Sequence, residues 1–277
     1  MRYIDPFYAT DADNESYVVA LLERVLELTE ERYGPFELQP LHTPMLQGRQ
    51  LRALASKEID VMWAMTSTER ENRALPVRVP IVMGLIGYRV FVIRKAEQQR
   101  FAQIDDPYEL KKLLAIQGHD WPDIKILRAN GFQVHGVSWR DKMYALLGGS
   151  NFDYFPRGVT EVGRELERVN KDDNLVVEGK WLLYYPAATY FFVGRENKLL
   201  AERLEQGLKE MASSGELKQM LLSHEIHQEA LKLVRFHGRE VIELHNPLLP
   251  PETPLQDPKY WLTYDELLKH EQAHQGQ

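Results

Sequence analysis

The segment Ile59-Asp-Val-Met-Trp-Ala-Met-Thr-Ser-Thr-Glu-Arg70 gathers the residue types that grip a small anion. An apolar, strand-like run ending at Met65 gives way to three consecutive hydroxyl residues, Thr66, Ser67 and Thr68, with Arg70 two positions further on. Strand ends expose backbone N–H groups, hydroxyls add donors, and a guanidinium offers a planar fork that fits a carboxylate. The same spacing also has a structural reading. One of the hydroxyl residues caps a helix starting near Glu69, and Arg70 is solvated on its first turn. Elsewhere, His119-Asp120 follows Gly118 and could act as a general acid and base pair in an enzyme. His224 and His227 are three apart, without the companions a metal site needs and without the spacing of a zinc-protease helix. They read as surface histidines.

Regular elements must hold these groups. Tyr17, Val18, Leu21, Leu22, Val25 and Leu26 recur at helical spacing behind a cap at Asp13 or Asn14, and Gly34-Pro35 ends the helix. A strand over 36–41 and a helix opened by Thr43-Pro44 follow, leading into the strand that begins at Ile59. That β-α-β-α-β order predicts a parallel sheet covered by helices. Next comes a long apolar run over 81–93 interrupted by Gly84 and Gly87, which predicts a bend or close backbone approach. A second unit opens with the helix start Asp106-Pro107, then a strand over 113–117 and a turn at Gly118-His119-Asp120, with Asp120 as cap of the next helix. Ser138 and Thr160 cap further helices around a strand over 151–155. A last apolar run over 184–193 precedes a helix carrying Leu199, Leu200, Leu204, Leu208 and Met211.

Composition narrows the function. The net charge of −7, with no Lys/Arg run longer than two, argues against nucleic acid as a partner. Absence of cysteine removes disulfide scaffolds, thiol catalysis and cysteine-based zinc sites, and suits an oxidising compartment. No apolar run approaches the length of a membrane span. The N-terminal Met-Arg-Tyr-Ile-Asp-Pro reads as strand and turn, so an exported precursor is expected to carry a leader that this chain lacks.

The order of these features resembles the type 2 periplasmic solute-binding proteins, in the branch that includes amino-acid receptors of ABC transporters (bacterial extracellular solute-binding protein family 3). The residues carrying the resemblance are Arg2 to Ile4 with Asp5-Pro-Phe-Tyr8, Ile59 to Arg70, Gly84 to Ile93, and Ile116-Gln-Gly-His-Asp120. Leu146 to Asp153, Tyr190 to Val193, and Leu200 to Leu221 complete it. The resemblance implies an α/β, two-lobed periplasmic binding protein-like II fold. Each lobe has a central mixed sheet flanked by helices, and two hinge strands join the lobes. It implies residues 1–88 plus 190–277 as one lobe and 89–189 as an inserted one.

Carried onto this chain, the resemblance gives Thr66, Thr68 and Arg70 the grip on a ligand carboxylate, beside Met65 at the strand end. The family's proline between threonine and glutamate is missing here. Gly118 and His119 match the turn whose backbone N–H groups share that carboxylate. Tyr8 matches an aromatic cover. Receptors usually carry an ammonium-binding aspartate a few residues beyond Asp153, and this chain has Tyr154-Phe-Pro-Arg-Gly158 instead. The equivalent of that acid is Arg157 or Gly158; Arg157 in that place would attract a second anionic or carbonyl group, or else it pairs with Glu161 or points to solvent. The implied function is capture of a small organic anion or amino-acid-like solute by hinge closure, by a periplasmic monomer serving a membrane permease or a sensor protein. No cofactor or metal is expected. The rivals are a dehydratase-type enzyme on the same fold, using His119 and Asp120, and a sensory module without a transport role.

Overall fold

The central strands form where the sequence is apolar on both faces, and the longer helices carry an apolar stripe. The computed structural model describes residues 1–5, 15–138, 140–149, 151–169 and 174–274. Asp13, Asn14 and Tyr8 therefore lie outside the described residues. In chain order the strands are β1 (Arg2–Ile4), β2 (Gln39–Leu41), β3 (Val61–Met65), β4 (Leu75–Val77), β5 (Tyr88–Arg94) and β6 (Leu114–Gly118). There follow β7 (Gln133–Val137), β8 (Phe155–Gly158), β9 (Leu175–Val177), β10 (Trp181–Tyr184), β11 (Thr189–Val193) and β12 (Glu240–Glu243).

The chain divides into two compact units. The first comprises residues 1–84, 187–226 and 249–261, and the second 85–186, 227–248 and 262–277. Of the five places where the chain passes from one to the other, Gly84-Leu85 and Pro186-Ala187 fall inside the two long apolar runs. The tail divides differently from the sequence expectation, which gave all of 190–277 to one lobe. Residues 227–248 and 262–277 belong to the second unit because β12 extends its sheet, pairing in parallel with β10 from Trp181↔Glu240 to Tyr184↔Glu243.

In the first unit β1 and β2 pair in parallel, as expected for the opening elements. The neighbour of β3 is instead β11, which runs antiparallel between β3 and β4. All five residues of β11 are buried, so it takes a central position that the first elements alone could not fill. The core beneath contains Ile4, Leu51, Leu54, Ile59, Met62, Tyr190 and Phe192. The helix at Gln47–Ala55 starts three residues after the expected Pro44, with Leu46 at its N-cap. Gly84 has φ 78°, and a Cβ there would run into the Trp261 indole, which explains the glycine in the apolar run.

In the second unit the sheet order is β12-β10-β5-β8, with β9 also on β5, and β6 and β7 form a separate parallel pair. Buried Arg239 ties the tail to this sheet. Its guanidinium donates to the carbonyls of Val234, Arg235, Glu178 and Trp181 at 2.6–3.0 Å. Burial pulls its pKa below the ordinary arginine value. Replacing Arg239 by Ala leaves these carbonyls without their donor. Urea titration should show the second unit weakened by about 2–4 kcal/mol, with the first unit's transition unmoved.

Candidate functional site

In the first unit β3 ends at Met65, and a six-residue helix, Thr68–Arg73, follows directly. Ser67 is its N-cap, with Oγ accepting from the Arg70 N–H at 3.3 Å, so the capping reading holds for this serine. Arg70 is nevertheless not solvated. It is buried, and its guanidinium donates to Met65 O at 2.6 Å and Gln47 Oε1 at 2.7 Å. Both acceptors are neutral, and together they fix the plane of the fork. Thr66 is buried, and its hydroxyl donates to Glu71 Oε1 at 2.7 Å while its N–H donates to Ala188 O at 2.7 Å. Glu71 is held in turn by Arg78. Thr66 thus braces the helix, with its own donors engaged. Thr68 is exposed on the first helical turn.

In the second unit the turn after β6 brings Gly118 and His119 together, but their amides have other partners. Gly118 N–H donates to Gln117 Oε1 at 3.2 Å, and His119 N–H to Val137 O at 3.1 Å, continuing the β6–β7 pairing. The Trp121 indole packs onto Gly118, where a Cβ would overlap it. The cap of the next helix, Pro122–Ala129, falls on Trp121 and not on Asp120. His119 and Asp120 are solvent-facing, 3.9 Å apart at their nearest charged atoms. His227, expected at the surface, is fully buried, whereas His224 is partly exposed. No group of acidic or histidine residues suited to a metal ion occurs among the described residues.

The largest departure from the sequence reading is Arg157. It sits in β8, almost wholly buried, and offers no free charge to a second anion. Its Nε and NH2 donate to the two oxygens of Glu165 at 2.6 Å each, and NH2 lies 3.1 Å from Glu161. The guanidinium also stacks 4.7 Å from the Trp121 ring and 5.1 Å from Phe155. Burial by itself would lower its pKa; Glu161 and Glu165 outweigh that and hold it well above the ordinary value. The reading that paired Arg157 with Glu161 is therefore nearer the structure, with Glu165 as the stronger partner.

Around this pair lies a network that sequence reasoning missed. Arg89 of β5 pairs with Asp123 at 2.9 Å and Glu161 at 3.2 Å, and its Nε donates to the Tyr185 hydroxyl. Tyr185 donates to Asp123, and Tyr144 to Glu165, both at 2.5 Å. Two guanidiniums face three carboxylates, so the cluster holds no surplus positive charge. A signal was available: an arginine inside the apolar strand 88–94 must find carboxylates. Glu161 and Glu165 also follow Arg157 at helical spacing.

Glu161 fills a particular place. Its Oε2 accepts from the Gly158 N–H at 3.1 Å, and a side chain at position 158 would collide with that oxygen. Its carboxylate thus lies where a residue at 158 would put its own. Oε1 accepts no hydrogen bond from a described residue.

Comparison with known proteins bears on the fold. No family model matches the chain, and neither does any curated protein. Solved structures do match. A Salmonella typhimurium periplasmic binding protein described as having high arginine specificity aligns at TM-score 0.55 and 17% identity, over 79% of this chain and 94% of that one. A histidine kinase sensor domain similar to periplasmic binding proteins aligns at TM-score 0.53 and 18% identity, over 74% and 83%. The GluR0 ligand-binding core from Nostoc punctiforme, bound to L-glutamate, aligns at 0.52 and 12%, over 80% and 95%. The fold is the two-lobed α/β fold of the amino-acid-binding periplasmic proteins. The neighbours are binding proteins and receptor domains, and no helix among the described residues is long and apolar enough to cross a membrane.

Two outcomes follow for the network. Arg157→Ala strands the buried Glu165 carboxylate and should destabilise the second unit by about 3–5 kcal/mol, read by chemical denaturation. Burial first, then Glu165 for Tyr144 and Asp123 for Tyr185, raises both phenol pKa values. Their contribution is complete below the unfolded tyrosine pKa of about 10 and is lost as pH rises beyond it. Near-ultraviolet circular dichroism should therefore show the second unit opening on the alkaline side, where tyrosinate forms.

Proposed function

We propose that this chain is an extracytoplasmic binding protein for an amino-acid-like solute, serving uptake or sensing, and that it performs no chemistry on the solute. The observation that carries the reading is the Glu161 carboxylate beside Gly158. The resemblance puts an ammonium-binding acid at this place, and Glu161 supplies one from three residues downstream. With Arg157 neutralised, the earlier expectation of a second anionic group gives way to an ammonium. At the other end of the solute, Arg70 is the carboxylate partner, its plane set by Met65 O and Gln47 Oε1, with Thr68 exposed beside it. Arg70 belongs to the first unit and Glu161 to the second. A solute engaging both would favour the state in which both contacts are made, which is the family's mode of action.

The neighbours' reported ligands, arginine and glutamate, support a zwitterionic solute. The exposed, loosely spaced His119-Asp120 pair gives little support to the dehydratase reading. A sensory role is favoured by one observation, the likeness to a histidine kinase sensor domain.

Isothermal titration against a panel of L-amino acids, guided by native mass spectrometry for co-purified solute, tests the reading. A cognate amino acid should bind, and Arg70→Ala should weaken it by roughly 10- to 150-fold, the loss of one charge-assisted contact. Glu161→Gln should weaken amino acids selectively over the corresponding deaminated acids. Equal affinity of wild type and Arg70→Ala would sink the proposal.

A further inference from the structure

The first unit holds a second cationic site at the far end of β3 from Arg70. A cavity of about 390 Å³ is bounded there by the residues leading into β3, the end of the helix Gln47–Ala55 and the turn following β11. Its size is within the range of small-molecule sites. Four basic side chains line it, Arg2, Lys57, Arg73 and Arg195, against two acidic ones, Asp60 and Glu196.

The charges do not cancel evenly. Arg2 is neutralised by Asp60, which accepts from its Nε at 3.2 Å, its NH2 at 2.8 Å and its backbone N–H at 2.7 Å. Arg73 has only a distant partner, Glu69 at 3.9 Å. Lys57 and Arg195 pair with no carboxylate among the described residues. Arg195 NH1 donates to the Asn72 carbonyl, which orients the guanidinium without reducing its charge. Lys57 is held at φ 60°, a left-handed conformation that favours glycine, just after the helix C-cap at Ser56. Glu196 is the remaining opposing charge. A cationic hollow therefore persists on a chain whose net charge is −7.

We propose that this cavity binds a small phosphorylated molecule. Lys57, Arg73 and Arg195 reach it from three separate chain segments, a layout that suits a phosphate, whose oxygens can accept from several sides, better than a single planar carboxylate. The volume exceeds what inorganic phosphate fills, leaving room for the group that carries it. The site is separate from the amino-acid reading, since neither Arg70 nor Glu161 is among its lining residues.

Isothermal titration of the full chain with pyrophosphate, and with inorganic phosphate as the smaller probe, decides the matter. Pyrophosphate should bind saturably at one site, more tightly than phosphate. Lys57→Ala/Arg195→Ala, two exposed positions whose loss should leave the melting temperature unchanged, should reduce its affinity by about tenfold or more. Arg70→Ala should leave it unaltered. No saturable binding, or equal binding by the double variant, would overturn the proposal. Loss of pyrophosphate binding in Arg70→Ala would overturn it too, by placing the anion in the solute site, while leaving the amino-acid titrations above as a separate test.

Discussion

The buried ion pair between Arg157 and Glu165 is the constraint on which the second unit's charge network depends. Each nitrogen of the fork has its own carboxylate oxygen, and the Trp121 and Phe155 rings cover the guanidinium. In so dry a setting neither charge tolerates loss of the other. The pair fixes β8 against the helix Val162–Val169, and the start of that helix sets where Glu161 can reach. From there the network extends through Arg89 to Asp123 and Tyr185, joining β5, β8 and the helix at Pro122–Ala129. A charged side chain that looked like a ligand contact is instead the brace for a different residue.

The first unit solves its problem by other means. Its guanidinium, Arg70, donates to two neutral oxygens, Met65 O and Gln47 Oε1, which set its plane. Ser67 stops the strand and starts the helix, and Thr66 with Glu71 and Arg78 stiffens the corner. Preorganisation of this kind lowers the ordering cost of binding. The cavity at the opposite end of β3 draws its cations from β1, from the end of the helix Thr68–Arg73 and from two loops.

Much of the architecture was legible in one sequence. Alternation of apolar runs with amphipathic stripes marked an α/β protein, and the two apolar runs at 81–93 and 184–193 contain two of the five points where the chain changes unit. Gly84 announced a close approach that Trp261 makes. The β3 terminus with Thr66, Ser67 and Arg70 stood out because strand, hydroxyls and cation are contiguous. Less legible were the antiparallel insertion of β11, the return of the tail to the second unit, and the partner of Arg157. The first two depend on residues far apart in the chain, and periodicity carries no information about which distant element is adjacent; Glu165 is near Arg157 in sequence, but one lies in a strand and the other in a helix, so no single period links them.

The residue types alone determined that this chain must bury apolar strands under helices and must satisfy arginines placed within them. Local spacing also determined the helix start after β3, since a cap needs only its own next residues. Tertiary structure decided which charges remained available. Arg157 and Arg70 look alike in sequence, yet one is neutralised by Glu165 and the other is held by a carbonyl and an amide. That difference is set by which groups the fold brings beside each buried guanidinium, since burial makes a partner for each compulsory.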